Sequence, residues 1–110
     1  MAEFQDAPVG VTGVETALGV ALTKLFHTKI LGLNEIAMKM STRPAEILKL
    51  PSSFGEIKVG KKANLTLVDI NQEWTVRAEE FVSKSKNSCF IGNKLKGRAV
   101  ATISRGTLWQ

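Results

Sequence analysis

Thr12-Gly13-Val14-Glu15-Thr16-Ala17-Leu18-Gly19-Val20-Ala21-Leu22-Thr23-Lys24-Leu25-Phe26-His27 is the stretch on which the reading of this chain turns. Val14, Ala17, Leu18, Ala21, Leu22 and Leu25 recur at the i, i+3, i+4, i+7 spacing of one helix face. Thr12 and Glu15 have the Thr-x-x-Glu spacing of a capping box, in which each side chain satisfies an orphan backbone N–H. The spacing predicts a helix that opens at Thr12 and ends near His27-Thr28. Val20 lies away from the main stripe, so the helix is apolar on more than one side. A helix of that kind normally sits inside something larger.

Outward from it, the chain stays helical to about residue 50. Ile36, Ala37 and Met40 predict a short helix over 34–40. Thr42 is placed to cap a third, with Pro44 in its first turn, where a missing N–H costs nothing. Ala45, Ile47 and Leu48 follow, and Pro51 stops it. Residues 1–11 read as irregular, with Ala7-Pro8-Val9-Gly10 a loop, and residues 50–55 form another. At Gly55 the period changes. Ile57 and Val59 alternate with Glu56 and Lys58. Leu65, Leu67 and Ile70 lie in a β-rich run, and Glu73-Trp74-Thr75-Val76 reads as another strand. Residues 78–83 have room for one or two helical turns. Val100, Thr102 and Ile103 belong to a late strand, and Ser104-Arg105-Gly106 turns it into Thr107-Leu108-Trp109. The fold class is α+β, with helices first and strands after, and the helices have no strand of their own to cover them.

The chain has 110 residues, too few for a complete (β/α)₈ barrel, which takes roughly 200 or more. A 44% hydrophobic content and a net charge of +5 exclude a disordered composition. Cys89 is the only cysteine and His27 the only histidine, which excludes a disulfide framework, a cysteine-rich zinc module and most histidine metal sites. No basic region leads into a long apolar stretch, and no run approaches the ~18 apolar residues of a membrane span. A cytoplasmic protein that does not engage a membrane is the expectation. Residues 1–55 carry five basic and five acidic side chains, so the whole excess charge lies in the second half. Lys84, Lys86, Lys94, Lys96, Arg98 and Arg105 are spaced out, tyrosine is absent and no aromatic stacking platform accompanies them. They read as solubilising charges on edges and loops, and not as a nucleic-acid surface.

No catalytic constellation emerges from the residues themselves. His27 ends an apolar helix, where a cation suits the dipole. Cys89 precedes Phe90 and Ile91 and has no histidine beside it to favour a thiolate. Glu15 reads as a cap, and Asp69 as an acceptor of turn N–H groups. The glycines at 10, 13 and 19 make no phosphate or dinucleotide fingerprint. The one segment with binding potential is Ala7-Pro8-Val9-Gly10, because a glycine lets backbone N–H and C=O groups approach a ligand closely.

The succession of short motifs resembles the bacterial dihydroorotases of the amidohydrolase superfamily. Asp6-Ala7-Pro8-Val9-Gly10-Val11-Thr12-Gly13-Val14-Glu15-Thr16 is similar to a family segment A-P-F-G-x-x-G-L-E-T. Leu33-Asn34-Glu35 and residues 39–48 resemble the next two helices. Residues 55–65 resemble the superfamily signature G-x-I-x-x-G-x-x-A-D-L. Asn87-Ser88-Cys89-Phe90-Ile91-Gly92 resembles N-S-P-F-x-G, and residues 96–103 a closing K-G-x-V-x-x-T-I strand. Val9 stands where the family has Phe, Asn64 where it has Asp, Cys89 where it has Pro, and Asn93 where Trp is common.

The resemblance implies a C-terminal portion of such an enzyme. Residues 1–54 would be the end of a metal-dependent (β/α)₈ barrel, with its substrate loop and last helices. Residues 55–110 would be part of an accessory β-sandwich. The implied activity interconverts N-carbamoyl-L-aspartate and L-dihydroorotate in pyrimidine biosynthesis. The family zinc ligands and catalytic Asp would all precede Met1, so no catalytic or metal-binding residue is assigned and this portion alone is expected to be inactive. Val9 and Gly10 match the Phe-Gly pair that binds substrate, largely through backbone. A homo-oligomer, such as a dimer, is expected. The alternatives are a portion of dihydropyrimidinase or allantoinase, or a non-catalytic dimerisation or interaction module.

Overall fold

A computed structural model describes residues 4–6, 9–52 and 54–110. Met1–Glu3, the Ala7-Pro8 half of the predicted loop and Ser53 lie outside the described residues. The order is helices first, then a three-stranded antiparallel sheet, as the change of period at Gly55 implies.

The first helix, α1 (Val14–Ala21), runs on through a wider π turn, Leu22–Phe26. Its start is not capped as the Thr-x-x-Glu spacing suggests. The residue before it is Gly13, which offers no side chain. Thr12 gives its N–H to the Asn87 carbonyl, and the Glu15 carboxylate leaves the helix altogether. The helix ends where expected. Lys29 adopts a left-handed φ of 61°, Ile30 N–H bonds to Leu25 O and Lys29 N–H to Phe26 O. That pair of bonds is a Schellman termination, with lysine in the position usually taken by glycine.

The predicted helices over 34–40 and 42–50 are one continuous rod. Helix α2 (Leu33–Ala37) passes through a π turn, Met38–Thr42, into α3 (Arg43–Ile47). Proline has no N–H for the turn behind it, and its ring crowds the carbonyl four residues back. The widened turn lies at that place, so the rod continues past Pro44. Thr42 has helical backbone and caps nothing; its hydroxyl donates instead to Gly55 O at 2.8 Å. A second Schellman ending follows, with Lys49 at φ 53°.

Residues 55–64 form no strand, and Ile57 and Val59 are fully in solvent. Strand β1 (Leu65–Thr75) is a single strand and includes the Glu73-Trp74-Thr75 segment. It pairs antiparallel with β2 (Lys94–Ser104), which pairs with β3 (Thr107–Trp109). Arg105 and Gly106, at φ 50° and 83°, make the tight turn between β2 and β3. Two successive positive φ values match the right-handed twist of a hairpin. Asn64 Oδ1 accepts the Arg105 N–H at 2.9 Å, and Ala63 O accepts that of Gly106. The signature Asp has an oxygen at the same place, so Asn64 preserves this contact.

Between Asp69 and Glu73 the register with β2 breaks. Asp69 Oδ1 accepts the N–H groups of Asn71 and Gln72 there, so it serves a mid-strand bulge. The excursion from β1 to β2 contains one 3₁₀ turn, Ala78–Glu80. Its neck is closed by Val76 N–H to Asn93 O and Gly92 N–H to Val76 O.

The core sits where α1 crosses β2. Val76, Phe81 and Leu95 are buried, with Val20, Trp74 and Phe90 packed around them. Leu22 and Thr16 are also buried. Gly19 and Gly97 let the helix and sheet touch backbone to side chain. Thr23 Oγ1 accepts the Lys96 N–H at 2.8 Å, and Trp74 Nε1 donates to Gly97 O at 2.9 Å.

Much of the apolar surface stays uncovered. The accessible surface is 8722 Å², against roughly 6,000 Å² for a compact monomer of this mass. The radius of gyration is 16.2 Å, against about 13 Å for a compact domain of this length. Val14, Ile47, Leu48, Val82 and Trp109 are all exposed. The helices and sheet thus leave apolar faces in solvent, in keeping with the all-round apolar character of 12–27.

Candidate functional site

The loop that carries the sequence-predicted binding residues enters α1 from the N-terminal side. Val9 is 98% exposed. Gly10 has φ +76°, and a Cβ built on it would meet nothing within 4 Å. Glycine is required here for its backbone conformation and not for lack of room.

The structure brings a second motif onto this loop. Asn87 Nδ2 donates to the Gly10 carbonyl at 2.6 Å, and the Asn87 carbonyl accepts the Thr12 N–H at 2.8 Å. One residue of the Asn-Ser-x-Phe-x-Gly segment therefore spans Gly10 to Thr12 with both its side chain and its backbone. Sequence reasoning did not assign Asn87 to the site. The signal available was the motif itself, which begins with that asparagine.

In the first turn of α1, Glu15 makes a parallel link. Its two carboxylate oxygens accept the N–H groups of Val82 and Ser83 at 3.0 and 3.1 Å. These bonds to the charged form hold its pKa below the ordinary glutamate value of 4.5, with a smaller contribution from the Lys86 charge. Lys86 Nζ itself donates to Phe81 O and Ser83 O. The loop and first turn of α1 are thus moored to residues 81–87 of the β half.

The other candidate residues have structural positions. His27 Nε2 lies 2.7 Å from Ile70 O. A carbonyl only accepts, so Nε2 carries the proton and the ring ties the end of the first helix to the bulge in β1. Cys89 is exposed. Arg98 lies over the Trp74 ring, 4.9 Å from its centroid, and pairs with Glu80 at 3.8 Å. Among the described residues, no three His, Cys, Asp or Glu side chains gather closely enough to hold a metal ion. The described residues do not by themselves fit a zinc site. No helix among them is long and apolar enough to cross a membrane.

A concavity of about 670 Å³ runs between the helices and β1. Leu18, Leu22, Ile36, Met40, Val68 and Ile70 make most of its wall apolar, while Glu56 and Asn64 add polar groups to it.

The profile of the amidohydrolase family matches residues 13–108. The chain is 42% identical over 109 residues to a dihydroorotase of Endomicrobium trichonymphae, covering 98% of this chain and 26% of that protein. It is 44% identical over 104 residues to a dihydroorotase of Carboxydothermus hydrogenoformans, covering 94% and 24% respectively. The chain thus spans about a quarter of the length of the curated relatives it matches. Among solved structures it superimposes on an L-hydantoinase (dihydropyrimidinase) from Arthrobacter aurescens with a TM-score of 0.84. The identity there is 32%, covering 90% of this chain and 22% of that one.

Proposed function

The chain belongs to the amidohydrolase family, and from that premise we propose that it corresponds to the C-terminal portion of a dihydroorotase. The reaction of the whole enzyme would be the reversible closure of N-carbamoyl-L-aspartate to L-dihydroorotate. The observation that carries this reading is identity of 42–44% to dihydroorotases across 94–98% of the chain. The hydantoinase relative covers 90% of the chain but at 32% identity, which favours dihydroorotase over dihydropyrimidinase.

In this reading residues 1–54 close the barrel and bring the Val9-Gly10 loop to its substrate face. Residues 55–110 contribute to the accessory sandwich. Val9 and Gly10 bind substrate through backbone, and Val9 offers less side-chain contact than the family phenylalanine. Zinc would be held by residues other than those of this chain, consistent with His27 being turned onto Ile70 O. The uncovered faces of α1 and β1 support burial against the remainder of the barrel and sandwich, and a homo-oligomeric, cytoplasmic enzyme follows from the family.

The test is a chimaera. The matching quarter of the Carboxydothermus hydrogenoformans dihydroorotase is replaced by this chain, and turnover of dihydroorotate, hydantoin and dihydrouracil is compared. Preferential turnover of dihydroorotate is expected. A chimaera selective for hydantoin or dihydrouracil would move the chain to the hydantoinase branch. The 110-residue chain alone, with added zinc, is expected to turn over none of the three.

A further inference from the structure

We propose that Asn87 is a positioning residue for substrate binding, which sets the direction of the Gly10–Val11 peptide and through it the donor offered to substrate. The inference deepens the dihydroorotase reading and rests on it. It starts from the double attachment of Asn87, whose side chain donates to Gly10 O while its carbonyl accepts from Thr12 N–H.

Across a planar trans peptide the C=O and N–H point in opposite directions. Tying the Gly10 carbonyl to Asn87 therefore turns the Val11 N–H away from residues 81–87. Gly10 is at a φ that other residues rarely adopt, and the space around its Cβ position is open. A glycine in open space can rotate its peptide at little cost, so something else must fix it. Asn87 is that element, and it comes from the opposite half of the chain, 77 residues away. The group it orients is an uncharged N–H donor, suited to a carbonyl or carboxylate oxygen of a small cyclic amide. A phenylalanine before the glycine would add packing; with Val9 in that place and fully exposed, orientation depends more heavily on the asparagine.

Two substitutions separate this role from general support of the fold. Asn87→Asp keeps the shape but replaces the donor with an oxygen that repels Gly10 O. Asn87→Ala removes the group. Both leave the backbone bond from Thr12 available. In the full 110-residue chain, NMR amide exchange at Thr12, whose N–H is bonded to Asn87 O, is expected to quicken roughly three- to ten-fold in both variants as the loop loosens with the loss of about one hydrogen bond. The paired amides of β1 and β2 are expected to be unchanged. In the chimaera, both variants are expected to raise KM for dihydroorotate by a similar factor, with kcat held within two-fold. Unchanged exchange at Thr12, or a loss confined to kcat, would overturn the assignment. If the unsubstituted chimaera fails on dihydroorotate, the functional reading falls, and the exchange measurement alone decides whether Asn87 fixes the loop.

Discussion

A Cβ placed on Gly97 would stand 2.5 Å from Cδ1 of Leu22 and 2.9 Å from its Cβ. The first helix and the sheet meet at this point only because one of the two residues has no side chain. Gly97 also has φ +111°, so the backbone there disfavours any other residue. Gly97→Ala is expected to destabilise the chain by about 2–4 kcal/mol in urea unfolding. Leu22→Ala is expected to cost about 2–4 kcal/mol through the cavity it leaves. The two should be less than additive, because the smaller residue at 22 makes room for the methyl at 97. Additive costs would show that backbone conformation alone excludes alanine.

Lys29 and Lys49 both occupy left-handed positions at helix ends. A side chain there crowds its own carbonyl, and glycine escapes that cost. Lys29→Gly and Lys49→Gly are each expected to raise stability by about 0.5–1 kcal/mol, read as a shift of the denaturation midpoint at constant slope. A loss of stability at either site would mean that the lysine side chain makes a compensating contact.

Glu15 gives the mooring of α1 a pH dependence. Its pKa is lowered in the folded chain by the Val82 and Ser83 N–H groups. A carboxylate with a depressed folded pKa contributes stability that is present above the unfolded value near 4.5 and lost as pH falls through the folded value. The Val82 and Ser83 amide resonances are expected to shift and lose protection as pH drops below about 4.5. Glu15→Gln should remove that titration. A midpoint above 4.5 at these amides would contradict the geometry.

Asn64 holds the β2–β3 turn through its side-chain oxygen. Asn64→Asp restores the residue of the superfamily signature with an oxygen in the same place, and stability is expected to change by less than about 0.5 kcal/mol. Asn64→Ala removes the acceptor and is expected to cost about 1 kcal/mol, with faster amide exchange at Arg105. Equal effects of the two substitutions would assign the role to something other than the oxygen.

The split between a helical first half and a β second half follows from periodicity, and so does the turn at Arg105-Gly106. Local chemistry was less decisive. Thr12, Glu15 and Thr42 each have the right type and spacing for capping, yet the side chains of Glu15 and Thr42 find partners elsewhere in the fold and Thr12 is held there by its backbone N–H. Glu15 is offered two N–H groups by residues 82 and 83, which outweigh the single orphan donor a capping box supplies. Pro44 was a boundary by local rules, and a π turn absorbed it. Ile57 and Val59 alternate like a strand, but no strand among the described residues pairs with them. The candidate site was legible as residue types and motifs, and not as contacts. The motifs single out Val9 and Gly10 as the proposed binding pair and include Asn87, but that Asn87 reaches Gly10 is a contact no motif states.

By itself, then, the amino-acid order determined which segments coil and which extend, and that the helices are too apolar to stand uncovered, because these depend on side-chain spacing along a few turns of backbone. It also carried the motifs that relate the chain to its family. Only the tertiary structure decided that Asn87 reaches Gly10, that His27 grips the bulge at Ile70, and that Gly97 must lack a side chain. Those contacts join residues far apart in the chain, and their partners exist only once α1 has been laid across β2.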